Sequence, residues 1–286
     1  MDHYSFNTVI NLFKLHLSDF YSENEIFQFI KMIFEHYLQF TSTDFILKRN
    51  EQQSVAFTKE LLSILDHLKN GEPIQYILGY AWFRGIKLKV TPSVLIPRQE
   101  TEELVEWIIN DLDCNEPSVL DIGTGSGCIA LALKNELPKS NVIAWDISNE
   151  ALQVALQNAN EYGLDIHFEQ KDILNFSIND HPVQYDVIVS NPPYVMHKEK
   201  FKMHPNVLNN EPQLALFVDD NDPLLFYRAI VNTAKLLLNS NGLLYFEINE
   251  SLGQETVQLI EKSGLSNIEL KKDINGKDRM IKCVKV

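Results

Sequence analysis

Residues 185–194, with the sequence YDVIVSNPPY, predict both the end of a strand and the place where this protein binds its ligands. The first six residues form a largely apolar run rich in β-branched side chains, which is typical of a buried strand. Pro192 and Pro193 cannot extend a strand, so the strand has to stop at Asn191. A polar amide is thus held at the carboxyl end of a strand, where open α/β sheets bind their ligands.

The same four-residue motif at positions 191–194 offers hydrogen-bond acceptors to a ligand. The two prolines lack N–H groups but keep their carbonyls, and Asn191 adds a side-chain oxygen. Together these oxygens suit a substrate NH2 group, with the ring of Tyr194 stacked beside it. A purely structural proline turn is the alternative interpretation, and the neighbouring motifs decide against it.

From residue 118 onward, strand and helix patterns alternate, which predicts a mostly parallel sheet covered by helices on both faces. The strand patterns lie at residues 118–122, 141–146, 166–170, 185–191 and 242–249. Two last strand patterns, at 267–273 and 279–286, flank Asn275-Gly276 and predict an antiparallel closing hairpin.

The first of these strands leads into a glycine-rich turn, Gly123-Thr124-Gly125-Ser126-Gly127. Glycines let the backbone approach a ligand closely and turn sharply into a helix. Cys128 follows Gly127, so the sequence matches neither a phosphate-binding loop nor the dinucleotide-binding pattern. This spacing disfavours a nicotinamide-dependent oxidoreductase and leaves a nucleoside site without a pyrophosphate.

Two acids follow the next two strands of the predicted sheet. Asp146 ends the second strand about 20 residues after the glycine turn, the usual position for an acid that accepts both ribose hydroxyl hydrogens. Asp172 follows the third strand, where its carboxylate could accept from an adenine amino group, and Ile173 could cover the purine face. The glycine turn and both acids together predict an adenosyl site.

The remaining sequence predicts three parts. Residues 1–72 carry apolar side chains at helical spacing and predict a small helical bundle with no residue set that suggests chemistry, so we expect it to recognise the substrate. Residues 73–97 predict a β-hairpin connector around Gly85, and residues 98–286 the catalytic domain. Thr101 or a neighbouring residue is a candidate N-cap for a helix that begins near Arg98.

Composition narrows the class of protein. The chain has 286 residues with 25 basic and 39 acidic side chains, and its net charge of -14 opposes non-specific binding to polyphosphates. Its three cysteines, Cys114, Cys128 and Cys283, form no C-x-x-C pair, so we expect neither a metal site nor disulfides. No apolar run approaches the length that spans a membrane.

These motifs belong to a larger set that extends over most of the chain. The set comprises residues 75–79 (QYILG), 96–98 (IPR) with Thr101-Glu102, 121–127 (DIGTGSG), Asp146, 191–194 (NPPY), Glu211-Pro212 and 276–279 (GKDR). The sequence thereby resembles class I S-adenosylmethionine-dependent methyltransferases, and more narrowly the HemK/PrmC family of glutamine methyltransferases that act on peptide chain release factors. DNA and RNA amino-methyltransferases share the Asn-Pro-Pro-Tyr motif, whereas its pairing with Ile-Pro-Arg and an N-terminal bundle is specific to this family.

The resemblance implies a fold and an activity. The fold is α/β: a Rossmann-like class I methyltransferase sheet, mostly parallel with an antiparallel C-terminal hairpin, plus a small N-terminal helical bundle joined by a β-hairpin. The activity is methyl transfer from S-adenosyl-L-methionine to N5 of the glutamine in the Gly-Gly-Gln motif of class 1 release factors, which modulates translation termination and leaves S-adenosyl-L-homocysteine. The resemblance further implies a cytoplasmic monomer that contacts neither nucleic acid nor membrane and holds no metal.

The resemblance also implies the site residues. Catalytic and substrate-binding roles fall on Asn191, Pro192, Pro193 and Tyr194, with further substrate contacts from Arg98 and Glu211. Cofactor contacts fall on Gly123, Thr124, Gly125, Ser126, Gly127, Asp146, Asp172, Ile173, Asn191 and Thr101. Glu211-Pro212 fits a lid segment and a surface turn equally well.

Two alternatives to this activity remain at the level of sequence. An amino-methyltransferase that acts on a DNA or RNA base uses the same motif at 191–194, but the acidic net charge and the lack of a basic, aromatic-interleaved region count against it. A non-catalytic binding module on this fold gives little reason for an intact Asn191 and Asp146.

Overall fold

The computed structural model describes residues 4–112, 114, 116–177 and 183–286. Contacts within the chain divide these residues into two units. The first contains the described residues up to Gly79 together with His204–Asn210, and the second those of Tyr80–Met203 and Glu211–Val286. Residues 73–79 thus lie in the helical unit, whereas the hairpin and the residues up to 97 lie in the unit of the sheet.

The structure assigns the following elements to the described residues. The helices are α1 (Phe6–Leu17), α2 (Glu23–Leu38), α3 (Asp44–Leu47), α4 (Val55–Lys69), α5 (Ile74–Leu78), α6 (Gln99–Asp111), α7 (Cys128–Glu136), α8 (Asn149–Glu161), α9 (Pro205–Asn210), α10 (Gln213–Leu216), α11 (Leu225–Leu237) and α12 (Gly253–Ser263). The strands are β1 (Tyr80–Phe83), β2 (Ile86–Lys89), β3 (Ser118–Ile122), β4 (Asn141–Asp146), β5 (Ile166–Gln170), β6 (Tyr185–Ser190), β7 (Val195–Met196), β8 (Phe217–Val218), β9 (Leu238–Glu247), β10 (Ser266–Lys272) and β11 (Asp278–Val284). Short 3₁₀ helices cover Ile173–Asn175 and His197–Lys202.

The helical unit is built on amphipathic helices with well-formed ends. Ser22 and Glu25 form a capping box at the start of α2, which leaves few of its first backbone N–H groups without an acceptor. Within this unit α9 is held by two asparagines: Asn206 Nδ2 donates to the Tyr21 hydroxyl (2.9 Å), and Asn210 Nδ2 donates to the Gly71 carbonyl (2.9 Å). A segment distant in sequence is therefore part of the bundle.

The second unit is organised on a sheet of seven strands in the order β10-β11-β9-β6-β3-β4-β5. The five strands from β9 to β5 pair in parallel, and β10 and β11 add an antiparallel pair at one edge. The chain runs from β3 outward to β5 and then returns to place β6 on the other side of β3. This reversal between β3 and β6 creates the crevice in which such sheets bind ligands.

The strand register brings the candidate residues to one edge of the sheet. Ile122 at the end of β3 pairs with Trp145 of β4 and with Ser190 of β6, and Ser190 pairs with Phe246 of β9. The residues that follow these pairs, including Asn191 and Glu247, are therefore neighbours at the carboxyl edge of the sheet.

Two hydrophobic cores cover the two faces of this sheet. Alternate residues of each strand point to opposite faces, so Val119 belongs to the core formed with α6 and α7, whereas Leu120 belongs to the core formed with α11. The sheet is thus buried on both faces, as the near-continuous apolar runs predicted. Among the residues that the structure describes, no helix is long and apolar enough to cross a membrane.

Two elements differ from the sequence predictions. Residues 74–78, predicted as a short apolar segment within the hairpin connector, form α5 and end at Gly79 with a positive φ of 77°. The strand predicted from residue 242 begins four residues earlier, at Leu238, and contains Asn241 with a φ of 65°. An irregularity of this kind is hard to predict from an apolar pattern, which starts only at Gly242.

Candidate active site

A cavity of about 380 Å³ opens at the carboxyl edge of the sheet in the second unit. Its volume lies within the range of roughly 300–1,000 Å³ that is usual for small-molecule sites. The cavity is lined by the loops that follow β3, β4, β5 and β6, and by residues of the segments 93–101 and 212–215. Of the described residues predicted for the site, Gly127, Tyr194 and Glu211 lie outside this lining.

The glycine turn after β3 forms the floor of the cavity with its backbone. The N–H groups of Gly123 and Thr124 donate to the Trp145 carbonyl (2.8 and 2.9 Å), and this fixes the turn against the end of β4. Gly123 and Gly125 have φ values of 76° and 56°, which side chains with a Cβ rarely adopt. A Cβ on either residue would meet no atom within 4 Å, so at these positions the backbone conformation requires glycine.

Gly127 has a different role from the other two glycines. It caps α7 with a φ of 83°, and a Cβ there would lie 2.5 Å from Leu131 Cδ1 and 3.1 Å from Ala155 Cβ. It therefore lets α7 and α8 approach each other closely instead of lining the cavity. This packing requirement explains the glycine, and its predicted contact with the cofactor stays a prediction.

The two predicted acids line the cavity at the ends of adjacent strands. Asp146 accepts from the backbone N–H groups of Gly125 at Oδ2 (2.8 Å) and of Ser148 at Oδ1 (2.9 Å). Burial raises the pKa of the Asp146 carboxyl, and these two hydrogen bonds lower it in part. Because each carboxylate oxygen can accept more than one hydrogen bond, both oxygens keep capacity for a ligand hydroxyl.

Asp172 lies two residues beyond the end of β5 and opens the 3₁₀ helix that contains Ile173. Its Oδ1 accepts from the Leu174 N–H (2.9 Å) and its Oδ2 from Asn175 Nδ2 (2.6 Å). The carboxylate is thereby held in one orientation at the cavity wall, next to the apolar side chain of Ile173.

Sequence reasoning did not single out Asp121 as more than a member of the glycine motif. This residue is fully buried in β3, and its Oδ2 accepts from Thr124 Oγ1 (2.6 Å). Burial raises the pKa of the Asp121 carboxyl to about 7. The available signal was an acid within an otherwise apolar strand, since a buried acid is unusual without a specific partner.

Asn191 lies directly after β6 and lines the cavity with Pro192 and Pro193. The end of β6 is fixed by Ser190, whose hydroxyl donates to the Ile122 carbonyl (2.6 Å). Asn191 Nδ2 donates to Thr101 Oγ1 (3.3 Å). One hydrogen of the amide nitrogen is thus used within the protein, and among the residues that the structure describes no hydrogen bond to Oδ1 is found.

Of the residues considered as N-cap, Thr101 does not cap its helix. α6 begins at Gln99 with Arg98 as N-cap, and Thr101 is buried inside the first turn. The Thr101 hydroxyl donates to Glu247 Oε2 (2.6 Å). The buried hydroxyl therefore connects Asn191 to a carboxylate at the end of β9.

Tyr194 also binds Glu247. Its hydroxyl donates to Glu247 Oε1 (3.0 Å), and its ring packs against the core that covers the α11 face of the sheet. A tyrosine hydroxyl in such partly buried surroundings needs a partner of this kind, and Tyr194 is absent from the described lining of the cavity.

Arg98 and Glu211 form a partly buried ion pair at the cavity rim. Arg98 Nη2 donates to Glu211 Oε1 (2.7 Å), and Glu211 Oε2 accepts from the Ile96 N–H (3.2 Å). The Glu211 side chain is only 1% exposed, whereas Pro212, Leu214 and Ala215 after it line the cavity. Glu211 therefore ties the cavity-lining segment 212–215 to the Ile96-Pro97-Arg98 loop. Among the residues that the structure describes, no group of three His, Cys, Asp or Glu could hold a metal ion.

Solved structures with the same architecture are methyltransferases. A methyltransferase from Pyrococcus furiosus superposes with a TM-score of 0.53 over 71% of this chain and 90% of its own, at 16% identity. The hMettl16 catalytic domain, solved in complex with an RNA hairpin, reaches a TM-score of 0.55 over 81% of this chain and 82% of its own, at 15% identity. At such identities the likeness concerns the fold, and it confirms the predicted fold class.

Sequence comparison gives the narrower result. The family model described as "Methyltransferase small domain" matches residues 99–216, and the "PrmC N-terminal domain" matches residues 9–79. The release factor glutamine methyltransferase of Flavobacterium psychrophilum is 47% identical over 93% of this chain and 94% of its own length. The release factor glutamine methyltransferase of Bacteroides thetaiotaomicron is 43% identical over 96% of this chain and 98% of its own length. With identity this high over nearly the full length of both relatives, the chain belongs to the release factor glutamine methyltransferase family.

Proposed function

We propose that this protein methylates N5 of the glutamine in the Gly-Gly-Gln motif of class 1 peptide chain release factors and thereby modulates translation termination. The observation that carries the proposal is Asn191, whose amide lies on the cavity with its nitrogen bound to Thr101 and its oxygen left to accept. The release factor glutamine methyltransferases that are up to 47% identical to this chain support the same substrate.

The cavity suits S-adenosyl-L-methionine, which when bound supplies an electrophilic methyl group and leaves as S-adenosyl-L-homocysteine. Gly123 and Gly125 bring bare backbone to the cavity, and a bulky methionine part can pass over them. The two oxygens of Asp146 can each accept from one ribose hydroxyl in addition to the backbone N–H groups of Gly125 and Ser148, since a carboxylate oxygen accepts more than one hydrogen bond. Asp172 and Ile173 provide an acceptor and an apolar surface for the adenine.

The protein has to position an unreactive nucleophile, because the lone pair of an amide nitrogen is delocalised into its carbonyl. Asn191 Oδ1 and the Pro192 carbonyl accept the two N–H hydrogens of the glutamine amide, which directs the nitrogen lone pair towards the methyl group. Orientation of this kind contributes roughly 7–11 kcal/mol in favourable cases. A strong base is unnecessary, since the amide proton becomes acidic as the new C–N bond forms.

The alternative substrate, a base in DNA or RNA, is disfavoured by electrostatics. A chain with a net charge of -14 repels a phosphate backbone, and nucleic-acid affinity depends mainly on phosphate contacts. The same proposal places the protein in the cytoplasm as a monomer without direct nucleic-acid contacts.

The helical unit is proposed to recognise the release factor. Its described surface exposes large apolar side chains, including Ile46 (75% exposed) and Leu47 (76% exposed), that a protein partner could cover. We expect the double variant Ile46→Ser/Leu47→Ser to raise KM for a whole release factor while its affinity for the cofactor stays at the parental value. Unchanged KM and kcat for the whole factor would contradict a role of these residues in recognition.

The test of the activity uses labelled S-adenosyl-L-methionine and three acceptors: a release factor, the same factor with the motif glutamine replaced by asparagine, and a mixed DNA and RNA oligonucleotide. We expect label in the parental release factor only. Transfer to the oligonucleotide, or equal transfer to the asparagine variant, would refute the proposal.

A further inference from the structure

The polar groups behind Asn191 form a chain of hydrogen bonds with only one possible direction. Asn191 Nδ2 donates to Thr101 Oγ1 (3.3 Å), and Thr101 Oγ1 donates to Glu247 Oε2 (2.6 Å). A threonine hydroxyl has a single hydrogen, so once it points to Glu247 only lone pairs remain for Asn191. The Asn191 amide must therefore present its NH2 to Thr101 and direct Oδ1 elsewhere.

The carboxylate of Glu247 fixes that direction. Its second oxygen, Oε1, accepts from the Tyr194 hydroxyl (3.0 Å), so both oxygens are occupied by hydroxyl donors. An ionised carboxylate has no hydrogen to donate, and neither hydroxyl can reverse without leaving an oxygen of this buried group without its donor. The order of donors and acceptors is thus determined at Glu247 and transmitted through Thr101.

We propose that Glu247 is a positioning residue, which acts through Thr101 to decide that the oxygen of the Asn191 amide faces the substrate. The inference rests on the proposed role of Asn191 as an acceptor. If the Thr101 hydroxyl turned to donate to Asn191 Oδ1, the amide would present its NH2 to the NH2 of the glutamine. Two donors would then face each other, and the substrate nitrogen would no longer be aimed.

The surroundings of Glu247 shift the pKa of its carboxyl. Burial raises the pKa of the Glu247 carboxyl, whereas the hydrogen bonds from Thr101 and Tyr194 and the charge of Arg279 lower it in part, and Glu100 raises it further. The Arg279 guanidinium forms ion pairs with two other carboxylates, from Nε to Asp273 Oδ2 (3.1 Å) and from Nη2 to Glu250 Oε2 (3.6 Å). Tyr227 donates its hydroxyl to the backbone carbonyl of Glu247 (3.4 Å) and leaves the carboxylate oxygens to the other two hydroxyls.

The experiment compares single-turnover methyl transfer to a release factor, at saturating cofactor, for variants of the chain of hydrogen bonds. Thr101→Val keeps the shape but removes the hydroxyl, and we expect a loss of about 10- to 100-fold, as when an orienting partner of a functional side chain is removed. Thr101→Ser keeps the hydroxyl and should remain within about threefold of the parent. In this inference Thr101 acts on Asn191 in place of the cofactor contact that the family resemblance implied, so cofactor affinity should be unchanged in both.

Two further readouts separate positioning from structural support. In an Asn191→Ala background, Thr101→Val should have almost no additional effect, because the group that it orients is gone. We expect turnover of the parent to decline at low pH as Glu247 takes up a proton, and Glu247→Gln to show a lower turnover without this decline. Asp111→Asn is the matched control: it alters another tyrosine–carboxylate hydrogen bond, from Tyr245 (2.7 Å), outside the described lining of the cavity.

The outcomes distinguish this inference from the proposed function. Parental turnover of Asn191→Ala would contradict the role of Asn191 itself. An impaired Asn191→Ala together with parental turnover of Thr101→Val would overturn the inference alone. A weaker cofactor affinity of Thr101→Val with normal turnover at saturation, or additive effects of the two substitutions, would equally overturn it and leave Thr101 as a cofactor contact or a packing residue.

Discussion

Replacement of Asn191 by alanine gives the most direct test of the active-site geometry. The substitution removes the Oδ1 acceptor from the cavity and the Nδ2 donor from Thr101. Loss of one preorganised polar group from an active site typically costs about 2.7–4 kcal/mol in the transition state. We therefore expect turnover to fall by about 100-fold or more.

The same substitution should hardly affect the fold. Thr101 keeps its hydrogen bond to Glu247, and the lost bond to half-buried Asn191 is long, so the expected loss of stability is about 1 kcal/mol. Single-turnover transfer to a release factor measures the first effect, and thermal unfolding measures the second. Calorimetry should show nearly parental cofactor affinity. Near-parental turnover of Asn191→Ala would refute the reasoning and leave the motif as a structural turn.

Asn191→Asp provides the matched variant, since its shape is nearly that of the parent. Its carboxylate offers an acceptor where Thr101 needs a donor, because the single Thr101 proton is already on Glu247. The side chain must therefore rotate or take up a proton, and its oxygen is no longer aimed. We expect turnover between the parent and the alanine variant, with tighter cofactor binding because the added negative charge attracts a sulfonium. Turnover of Asn191→Asp below that of Asn191→Ala would contradict this account.

Three further predictions concern the rest of the site. Asp146→Ala should weaken cofactor binding about tenfold or more by calorimetry, as expected for the loss of roughly 1.5–3 kcal/mol from charge-assisted hydrogen bonds, and unchanged affinity would refute the assignment. Asp121 has a folded-state pKa of about 7 against an ordinary value of 3.8, so the stability that it contributes is complete at low pH and is lost as the pH rises through 7. Asp121→Asn should accordingly raise the thermal midpoint by several degrees at pH 8 and hardly at pH 4; equal shifts at both pH values would contradict this. Arg98→Ala leaves the buried Glu211 carboxylate without its cation and should destabilise the protein by about 2–3 kcal/mol. The double variant Arg98→Ala/Glu211→Gln should be destabilised less, because no unpaired charge remains buried. A double variant less stable than Arg98→Ala would contradict this prediction.

The features that the sequence predicted are those that depend on local pattern. The parallel sheet follows from apolar runs separated by helices, and the glycine turn and the acids after β4 and β5 follow from the end of each strand. Parallel strands all end at one edge of the sheet. Predicting where each strand ends is therefore enough to predict that Gly123, Asp146 and Asn191 meet at one cavity.

The features that were missed depend on which distant polar side chains meet. Thr101 and Glu247 are 146 residues apart, and no periodic pattern relates them. Glu247 carried a signal of the same kind as Asp121, an acid inside an apolar strand pattern, but its partner could not be known. The position of the Tyr194 ring beside the substrate stays a prediction, but its hydroxyl partner Glu247 could not be foreseen. In each case a buried polar group needs a hydrogen-bond partner, and this need determines which distant side chains pair in the structure.

These long-range pairs explain why an Ile-Pro-Arg loop accompanies the Asn-Pro-Pro-Tyr motif. Arg98 and Thr101 are three residues apart at the start of α6, and residues at this spacing are neighbours on a helix surface. Arg98 binds Glu211, which precedes the segment 212–215, while Thr101 accepts from Asn191, and both Asn191 and that segment line the cavity. One helical turn therefore positions both the wall segment and the acceptor of the substrate amide. A one-residue insertion between Arg98 and Thr101 would rotate the two side chains by about 100° relative to each other around the helix axis. It should therefore break either the contact of Arg98 with Glu211 or that of Thr101 with Asn191.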